Sequence, residues 1–392
     1  MIEHQNISSY IAACQDFIRR HAATSNSESS EDEFDFLARS LFRLQFTGLL
    51  TYRRFCEARG STPDSVGSWR QIPALPVAAF KEFEVTTIAP TDRVAVFHSS
   101  GTTAQTPSRH FHNAESLALY EASLLSPFKT AVLGDVDELV ATERVRPLDK
   151  LGFLILTPPP AQVPNSSLAH MFDTVRREFE ANDSVFTGKL DPNGAWEIDI
   201  DATLFALRGS MCTNRPIVIL GTAFSFVHLL DYFESNNIRY RLAEGSLVME
   251  TGGYKGRSRA LPRQELHALI TRHLGVPPSN IVCEYGMSEL SSQAYDSVVT
   301  PVAGARPGSS NDEGVRRVFH FPPWVKCRII SAETGEPVAD GETGIIQVFD
   351  LANAQSVMAI QTEDLAIQRG DGFELIGRTA LAEPRGCSLM AR

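Results

Sequence analysis

The stretch RVAVFHSSGTTAQTPSRHFHNAESLALYEASLLS (93–126) decides how the chain is read. An apolar run (93–99) leads into a loop rich in glycine, serine and threonine. That loop leads into a segment with helical apolar spacing, opened by Asn113, a residue suited to capping a first turn. A strand, a polar loop and a helix in that order are the repeating unit of an α/β sheet. The loop (98–109) offers several backbone N–H groups and the hydroxyls of Ser99, Ser100, Thr102 and Thr103 within a short span, which suits phosphate oxygens. Gly101 lets the backbone approach a ligand closely. The P-loop spacing GxxxxGK[ST] is absent. By composition alone, an exposed Ser/Thr-rich surface loop is the competing reading.

Outward from this unit the pattern continues. KLGFLILT (150–157), RPIVILG (215–221), GSLVMET (245–251) and NIVCEY (280–285) are further strand candidates. A helix is predicted over 113–126. Another is predicted over 262–274, with Pro262 in its first turn, Leu266, Leu269, Ile270 and Leu274 on one face, and Gly275 just past its end. The alternation predicts an α/β domain with a mostly parallel sheet. After about residue 300 the helical pattern stops, and VKCRIIS (325–331), GIIQVFD (344–350) and GFELIGR (372–378) predict a smaller antiparallel β unit. Residues 7–21 and 34–59 carry helical spacing. The polar, acidic TSNSESSEDE (24–33) between them reads as an exposed loop, and QIPALPVAAFKEF (71–83) as an extended path set by Pro73 and Pro76. The resulting division is a helical region at 1–92, an α/β core at 93–300, a β-rich part at 301–376 and a tail at 377–392.

The bulk numbers exclude several classes. With 392 residues, 43% hydrophobic and 21% charged, the chain can bury a large core. A net charge of −11 argues against nonspecific nucleic-acid binding, which rests on neutralised phosphates. It does not exclude a small anion held by backbone amides and a local cation. No apolar run reaches the length of a membrane span and the start has no secretory pattern. The cysteines at 14, 56, 212, 283, 327 and 387 share no CxxC spacing, which fits reduced thiols in the cytosol.

Three further segments carry possible chemistry. Glu284-Tyr285-Gly286-Met287-Ser288-Glu289 follows an apolar strand, at the strand end where open α/β sheets bind ligands. There Tyr285 can stack on a base, Ser288 can bond a phosphate and Glu289 can hold Mg²⁺; a capped turn with a solvated glutamate is the alternative. Glu250-Thr251-Gly252-Gly253-Tyr254-Lys255-Gly256-Arg257 places glycines where a flat ligand could lie, with Lys255, Arg257 and Arg259 as local cations, or is simply a basic flexible loop. Thr362-Glu363-Asp364 offers a carboxylate suited to ribose hydroxyls, followed later by Gly377-Arg378.

Taken in order, these segments resemble the adenylate-forming superfamily, and within it the acyl-protein synthetase (LuxE-type) branch. The likeness rests on QIPALPVAAFKEF (71–83), HSSGTTAQTPSRH (98–110), METGGYKGRSR (249–259), EYGMSELSSQAYD (284–296), TEDL (362–365) and RGCSL (385–389). It spans residues 70 to the end; residues 1–70 carry nothing diagnostic. The resemblance implies a large N-terminal adenylation domain that uses ATP and Mg²⁺ to convert a small carboxylic acid, fatty or aryl, into an acyl-AMP. It implies that Ser99, Ser100, Gly101, Thr102 and Thr103 cradle the ATP phosphates, and that Gly252, Gly253, Tyr285 and Gly286 line the base pocket. Ser288 then contacts the α-phosphate, Glu289 binds Mg²⁺, and Asp364 holds the ribose with support from Arg378. The resemblance also implies that Cys387 takes the acyl group as a thioester before a partner reductase or other acceptor protein receives it; an ordinary cysteine in a C-terminal strand is the alternative reading.

The departures are specific. Ala104 stands where the superfamily loop usually carries a second glycine, and Arg109 where a lysine is common. The chain stops 14 residues after Arg378, so the small C-terminal lid domain and its catalytic lysine are expected to be absent; either Lys255 or a nearby arginine stands in, or adenylation is slow, or a partner completes the site. Alternatives are an aryl- or acyl-CoA ligase resembling the phenylacetate-CoA ligases, and a nucleotide-binding scaffold without catalysis. For the acid pocket, GTAFSFVHLLDY (221–232) and SSQAYD (291–296) are the candidate walls.

Overall fold

The computed structural model describes residues 5–22, 28–99, 106–134, 151–179, 184–253, 258–299 and 316–378. Its strands, numbered along the chain, are β1 (Leu75–Pro76), β2 (Ala95–His98), β3 (Arg109–His112), β4 (Gly152–Ile155), β5 (Val185–Phe186), β6 (Gly188–Leu190), β7 (Trp196–Ile198) and β8 (Ile217–Thr222). They continue with β9 (Leu247–Thr251), β10 (Ile281–Tyr285), β11 (Ala294–Val299), β12 (Arg316–His320), β13 (Val325–Ile330), β14 (Thr343–Asp350), β15 (Ala359–Arg369) and β16 (Gly372–Arg378).

Runs such as IVILGT in β8, buried at all six positions, have no polar face and must be covered on both sides, as parallel strands are. Strands β10, β9, β8, β4 and β5 accordingly pair in parallel. Helices Ala114–Phe128 and Ser167–Glu178 cover one face, where Tyr120, Phe128 and Phe172 pack on Phe153, Val218 and Met249. Helices Ile200–Thr213, Ala223–Ser235 and Arg263–Leu274 cover the other, through Leu207, Phe226 and Ile270 on Ile219 and Val248. The helix from Ala114 is opened by a capping box between Asn113 and Ser116, and the helix from Arg263 closes on Gly275 at φ +74°. No described helix is long and apolar enough to cross a membrane.

Two expectations are corrected. The β-rich part is not a separate sheet: β11 turns back antiparallel against β10, β12 pairs β11, and β16, β15, β14 and β13 extend the same ladder. The twelve-stranded sheet is therefore mixed, parallel on one side of β10 and antiparallel on the other. The first apolar run, in turn, joins no parallel sheet. β2 buries only Phe97 and pairs with β3 as a separate hairpin, Ala95 opposite His112 and His98 opposite Arg109. A half-exposed strand of that kind fits an antiparallel pair.

Three helices, Ile7–His21, Glu28–Gly48 and Leu50–Glu57, pack on the antiparallel half, with Phe17, Phe34, Phe42 and Trp69 against Ile346, Val348, Phe349 and Ile360. The second begins inside the acidic stretch expected to be a loop, because carboxylates in a first turn complement the helix dipole. The extended path at 71–83 contributes β1, a short parallel edge on β15, and the single turn Ala79–Glu82.

Within the antiparallel half, β12 runs against β16, with Phe319 opposite Phe373. Gly372 lies at this joint: a Cβ there would sit 2.5 Å from the Phe319 carbonyl oxygen and 2.6 Å from Val318 Cγ1. Backbone cannot yield as a side chain does, so Gly372→Ala is expected to cost about 2 kcal/mol in urea unfolding.

Candidate active site

The site grows from the carboxyl end of β10. Between Tyr285 and Ala294 the chain must reverse from β10 into β11, and Glu289, Ser291, Ser292 and Gln293 in this reversal are all buried. Buried polar groups need partners, and these come from three directions.

The first is the β2–β3 hairpin. Ser288 Oγ donates to the His98 carbonyl at 3.0 Å. His110 Nδ1 lies 3.0 Å from the Ser288 carbonyl, which can only accept, so Nδ1 carries the ring proton. Burial holds this imidazole neutral, its pKa lowered to about 4. Ser108 Oγ donates to the Glu289 carboxylate, and Ser99 and Ser108 exchange bonds across the base of the phosphate-loop candidate, N to O at 3.2 Å and N to Oγ at 2.9 Å. The second direction is β15: Tyr285 donates its hydroxyl to Asp364 Oδ2 at 2.9 Å, and Phe319, Phe321 and Phe373 meet the tyrosine ring edge-on. Asp364 sits beside a bulge between Leu365 and Ala366, opposite Arg378 in β16. The third is the loop between β14 and β15, where Asn353 and Asp350 bond Glu289, Ser291 and Ser292.

The structure thus gathers Ser99, Arg109, Tyr285, Gly286, Ser288, Glu289 and Asp364 at one end of the sheet. Gly252 and Gly253 follow β9 beside β10; Gly252 is at φ +71° and a Cβ on either would meet nothing within 4 Å. Gly286 is needed for another reason, since a Cβ there would run into the Glu284 carboxylate. Arg109 is paired with Glu84 at 3.2 Å. Arg259 is engaged by Asp231 at 2.8 Å and Glu234 at 3.6 Å on the surface, away from the phosphate role expected of it. Ser100, Gly101, Thr102, Thr103, Lys255, Arg257 and Cys387, and the side chain of Arg378, lie outside the described residues.

The candidate acid-pocket walls are redistributed. Phe226 and Val227 belong to the core on the far face of the sheet, and Ser291 and Ser292 are committed to Asp350 and Asn353. Sequence reasoning gave no role to Ser108, Asp350 or Asn353, and read His110 only as a residue flanking the phosphate loop. A signal existed at the start of β3, where alternation sets Ser108, just before the strand, and His110 on one side, but nothing local marks Asn353. Among the described residues no group of three or more His, Cys, Asp or Glu side chains is placed to hold a metal. One buried carboxylate, Glu289, still suits Mg²⁺, which keeps several waters and takes other ligands from substrate phosphates.

Glu284 is the most perturbed carboxyl beside the site. It stands in register between Thr251 and Tyr295 and accepts a bond from the Thr251 hydroxyl. Burial, helped by the charge of Glu250, pushes its pKa up to about 7. Between about pH 4.5 and 7 the folded state therefore keeps a proton that the unfolded chain has lost, and stability falls as pH rises through that window. Asp350, pushed up to about 6 by burial, adds a contribution of the same sign. Glu284→Gln removes the charge without changing the shape. Its stability advantage over the parent in urea should grow by on the order of 2–3 kcal/mol from pH 5 to pH 8; a difference that stays flat with pH would mean the carboxyl is solvated.

Comparison with known proteins agrees with this geometry. The profile of the family described as "Acyl-protein synthetase, LuxE" matches residues 179–392. A long-chain-fatty-acid–luciferin-component ligase of Aliivibrio fischeri is 24% identical over 375 residues, covering 92% of this chain and 88% of that protein. Its namesake from Vibrio harveyi is 23% identical over 203 residues, 49% of each. Among solved structures, 2-hydroxyisobutyryl-CoA ligase in complex with 2-HIB-AMP and CoA, in its thioesterification state, aligns over 92% of this chain and 70% of its own, with a TM-score of 0.58 at 12% identity. Its open conformation aligns over 96% and 71%, with a TM-score of 0.56 at 11% identity. At such identities these likenesses show the fold, an α/β architecture shared with adenylate-forming enzymes. The family match covers more than half of the 392 residues, and the chain belongs to the acyl-protein synthetase (LuxE) family of ligases.

Proposed function

We propose that the carboxyl edge of the sheet, around the 286–290 turn, is where this acid-activating ligase forms its acyl-AMP. The observation that carries the reading is the docking of Ser288 and Glu289 on the β2–β3 hairpin, with Asp364 brought to Tyr285. A phosphate loop, an α-phosphate donor, a metal carboxylate and a ribose carboxylate would then share one cleft.

In this reading the loop 99–103 and Arg109 hold the ATP phosphates, and Gly252, Gly253, Tyr285 and Gly286 border the base. Asp364, with Arg378, holds the ribose. An oxygen of the substrate carboxylate attacks the α-phosphorus; the new O–P bond forms as the bond to pyrophosphate breaks, and pyrophosphate departs. Ser288 Oγ, held at the His98 carbonyl, steadies the α-phosphate oxygens. Glu289 would hold Mg²⁺, which neutralises charge on the phosphates. Acceleration comes from positioning and charge complementarity. The acyl carbon then passes to a thiolate, with AMP as the leaving group; Cys387 is the proposed carrier and a partner protein the final acceptor. Free CoA is the competing acceptor. The relatives' names point to a long-chain fatty acid, and an aryl acid remains the other class of substrate.

Two variants test the reading, with pyrophosphate exchange followed over a panel of alkyl and aryl acids. Glu289→Gln should lower exchange by at least ~100-fold, about 2.7 kcal/mol, with the fold retained; parental rates would remove Glu289 from the site. Cys387→Ser should retain acid-dependent pyrophosphate release and lose the stable acyl-enzyme. Labelled acyl groups still bound covalently in that variant would exclude Cys387 as the carrier, and turnover with free CoA alone would favour a CoA ligase.

A further inference from the structure

The loop 350–358, between β14 and β15, matches no motif in the sequence, yet it grips the turn that carries Glu289. Its centre is Asn353, 1% exposed. Asn353 Nδ2 donates to the Glu289 carbonyl at 2.9 Å and to the Val357 carbonyl at 2.9 Å, and its Oδ1 accepts from Ser291 Oγ at 2.9 Å. Two carbonyls on one side and a hydroxyl on the other fix which way the amide points. Asp350, fully buried, adds bonds from Ser291 N at 2.9 Å and Ser292 Oγ at 2.8 Å. The chain from the Glu289 carbonyl to Ser292 is thereby tied to this one loop.

The loop is held in turn from behind. Gln45, on the helix Glu28–Gly48, is fully buried; its Nε2 donates to the carbonyls of Asn353 at 2.8 Å and Ala354 at 3.2 Å, and its Oε1 accepts from Met358 N at 3.1 Å. Tyr10, on the helix Ile7–His21, donates its hydroxyl to the Leu351 carbonyl at 2.9 Å. The helices Ile7–His21 and Glu28–Gly48 thus reach the turn through this loop.

We infer that Asn353 is a positioning residue that orients Glu289 for the ATP-bound metal, and that Gln45 and Tyr10 extend its grip into the N-terminal helices. The inference rests on the reading of Glu289 as the magnesium carboxylate. Asn353 itself touches no reacting atom. Its two amide hydrogens fix the Glu289 carbonyl relative to Val357, while Ser108 fixes the carboxylate from the hairpin side. With one end released, the carboxylate remains present but is no longer held where the phosphates arrive.

Asn353→Asp removes the donors and sets an anionic oxygen against two carbonyls. Ser291→Ala is milder, removing only the bond to Asn353 Oδ1. Partners that orient a metal ligand are worth roughly 10-fold in metal affinity. The half-saturating Mg²⁺ for pyrophosphate exchange should therefore rise by about that factor in Asn353→Asp and less in Ser291→Ala, while the KM for the acid stays put. A second readout needs no turnover: the rise in Tm given by Mg·ATP beyond that given by ATP in EDTA should shrink in the same order. Parental magnesium dependence and a parental Tm increment in both variants would overturn the inference, and Ser291→Ala alone decides it where Asn353→Asp does not fold. Glu289→Gln is measured alongside. If it keeps the increment, the metal role falls and the positioning role with it; if it loses the increment while both other variants keep theirs, the positioning role alone is wrong.

Discussion

The reversal between β10 and β11 sets what the rest of the structure must supply. β10 is the strand at which a parallel half becomes an antiparallel one. A strand feeding a parallel neighbour can leave through an exposed loop and a helix, but one that returns against itself turns at once, inside the protein. The turn buries Glu289, Ser291, Ser292 and Gln293. Leaving a buried donor or acceptor unpaired costs about 1–3 kcal/mol each, so the fold is arranged around pairing Glu289, Ser291 and Ser292, while Gln293 Oε1 has no partner among the described residues. The hairpin β2–β3, otherwise an isolated two-stranded piece, meets the turn from one side and the loop 350–358 from the other. A sheet switch point is also where open α/β sheets expose strand ends to ligands. The recess lined by Glu234, Arg239, Arg272 and His273, by contrast, lies where helices end and strands begin, at the opposite edge.

Electrostatics around the turn follow from the same burial. The chain carries a net charge of −11, and a polyanion has to be met by local donors. Arg109, a described cation at the site, already has a partner in Glu84. Backbone amides and hydroxyls at a strand end are dipoles that need no counter-charge, which suits an acidic protein that takes an anionic substrate. The pKa of Glu284, raised to about 7 by burial, acts in the same direction, because near neutral pH this carboxyl carries only part of its charge beside the site.

Much of the framework was legible because the parallel strands are covered on both faces. IVILGT and IVCEY read as continuous apolar runs and are buried throughout. β15 was not legible as a strand, although it is the longest at eleven residues. Its alternation is real, with Ile360, Thr362, Asp364 and Ala366 buried, but two of those inward positions are polar. A pattern based on hydrophobicity fails where the inward face carries a ribose candidate and its neighbour. The acidic start of the second helix misled for a related reason, since composition favoured a loop while helix-end electrostatics favoured a helix. Ser288 and Glu289 were proposed through a motif. Asn353 could not be, because its partners lie 64 and 62 residues away in sequence and no local spacing encodes such a pairing.

The buried amide of Gln45 shows why the N-terminal helices belong to the same cooperative unit as the site. A glutamine side chain removed from water is unfavourable unless its donors and acceptor are all used. Gln45 meets that condition only when 353, 354 and 358 adopt the one backbone path that presents two carbonyls and an amide to it. The same path presents Asn353 to Glu289 and Ser291. The helix therefore cannot dock well on any other conformation of the loop, and the loop cannot take another conformation without exposing or orphaning the glutamine. Networks of this kind strengthen when complete and are costly when broken. Packing of Phe17, Phe34 and Phe42 supplies the driving force for docking, whereas the polar contacts select which docked state is reached. The hydrophobic core thus determines that the helices bind to the sheet, and one buried amide transmits that binding, through Asn353, to the geometry of the carboxylate turn.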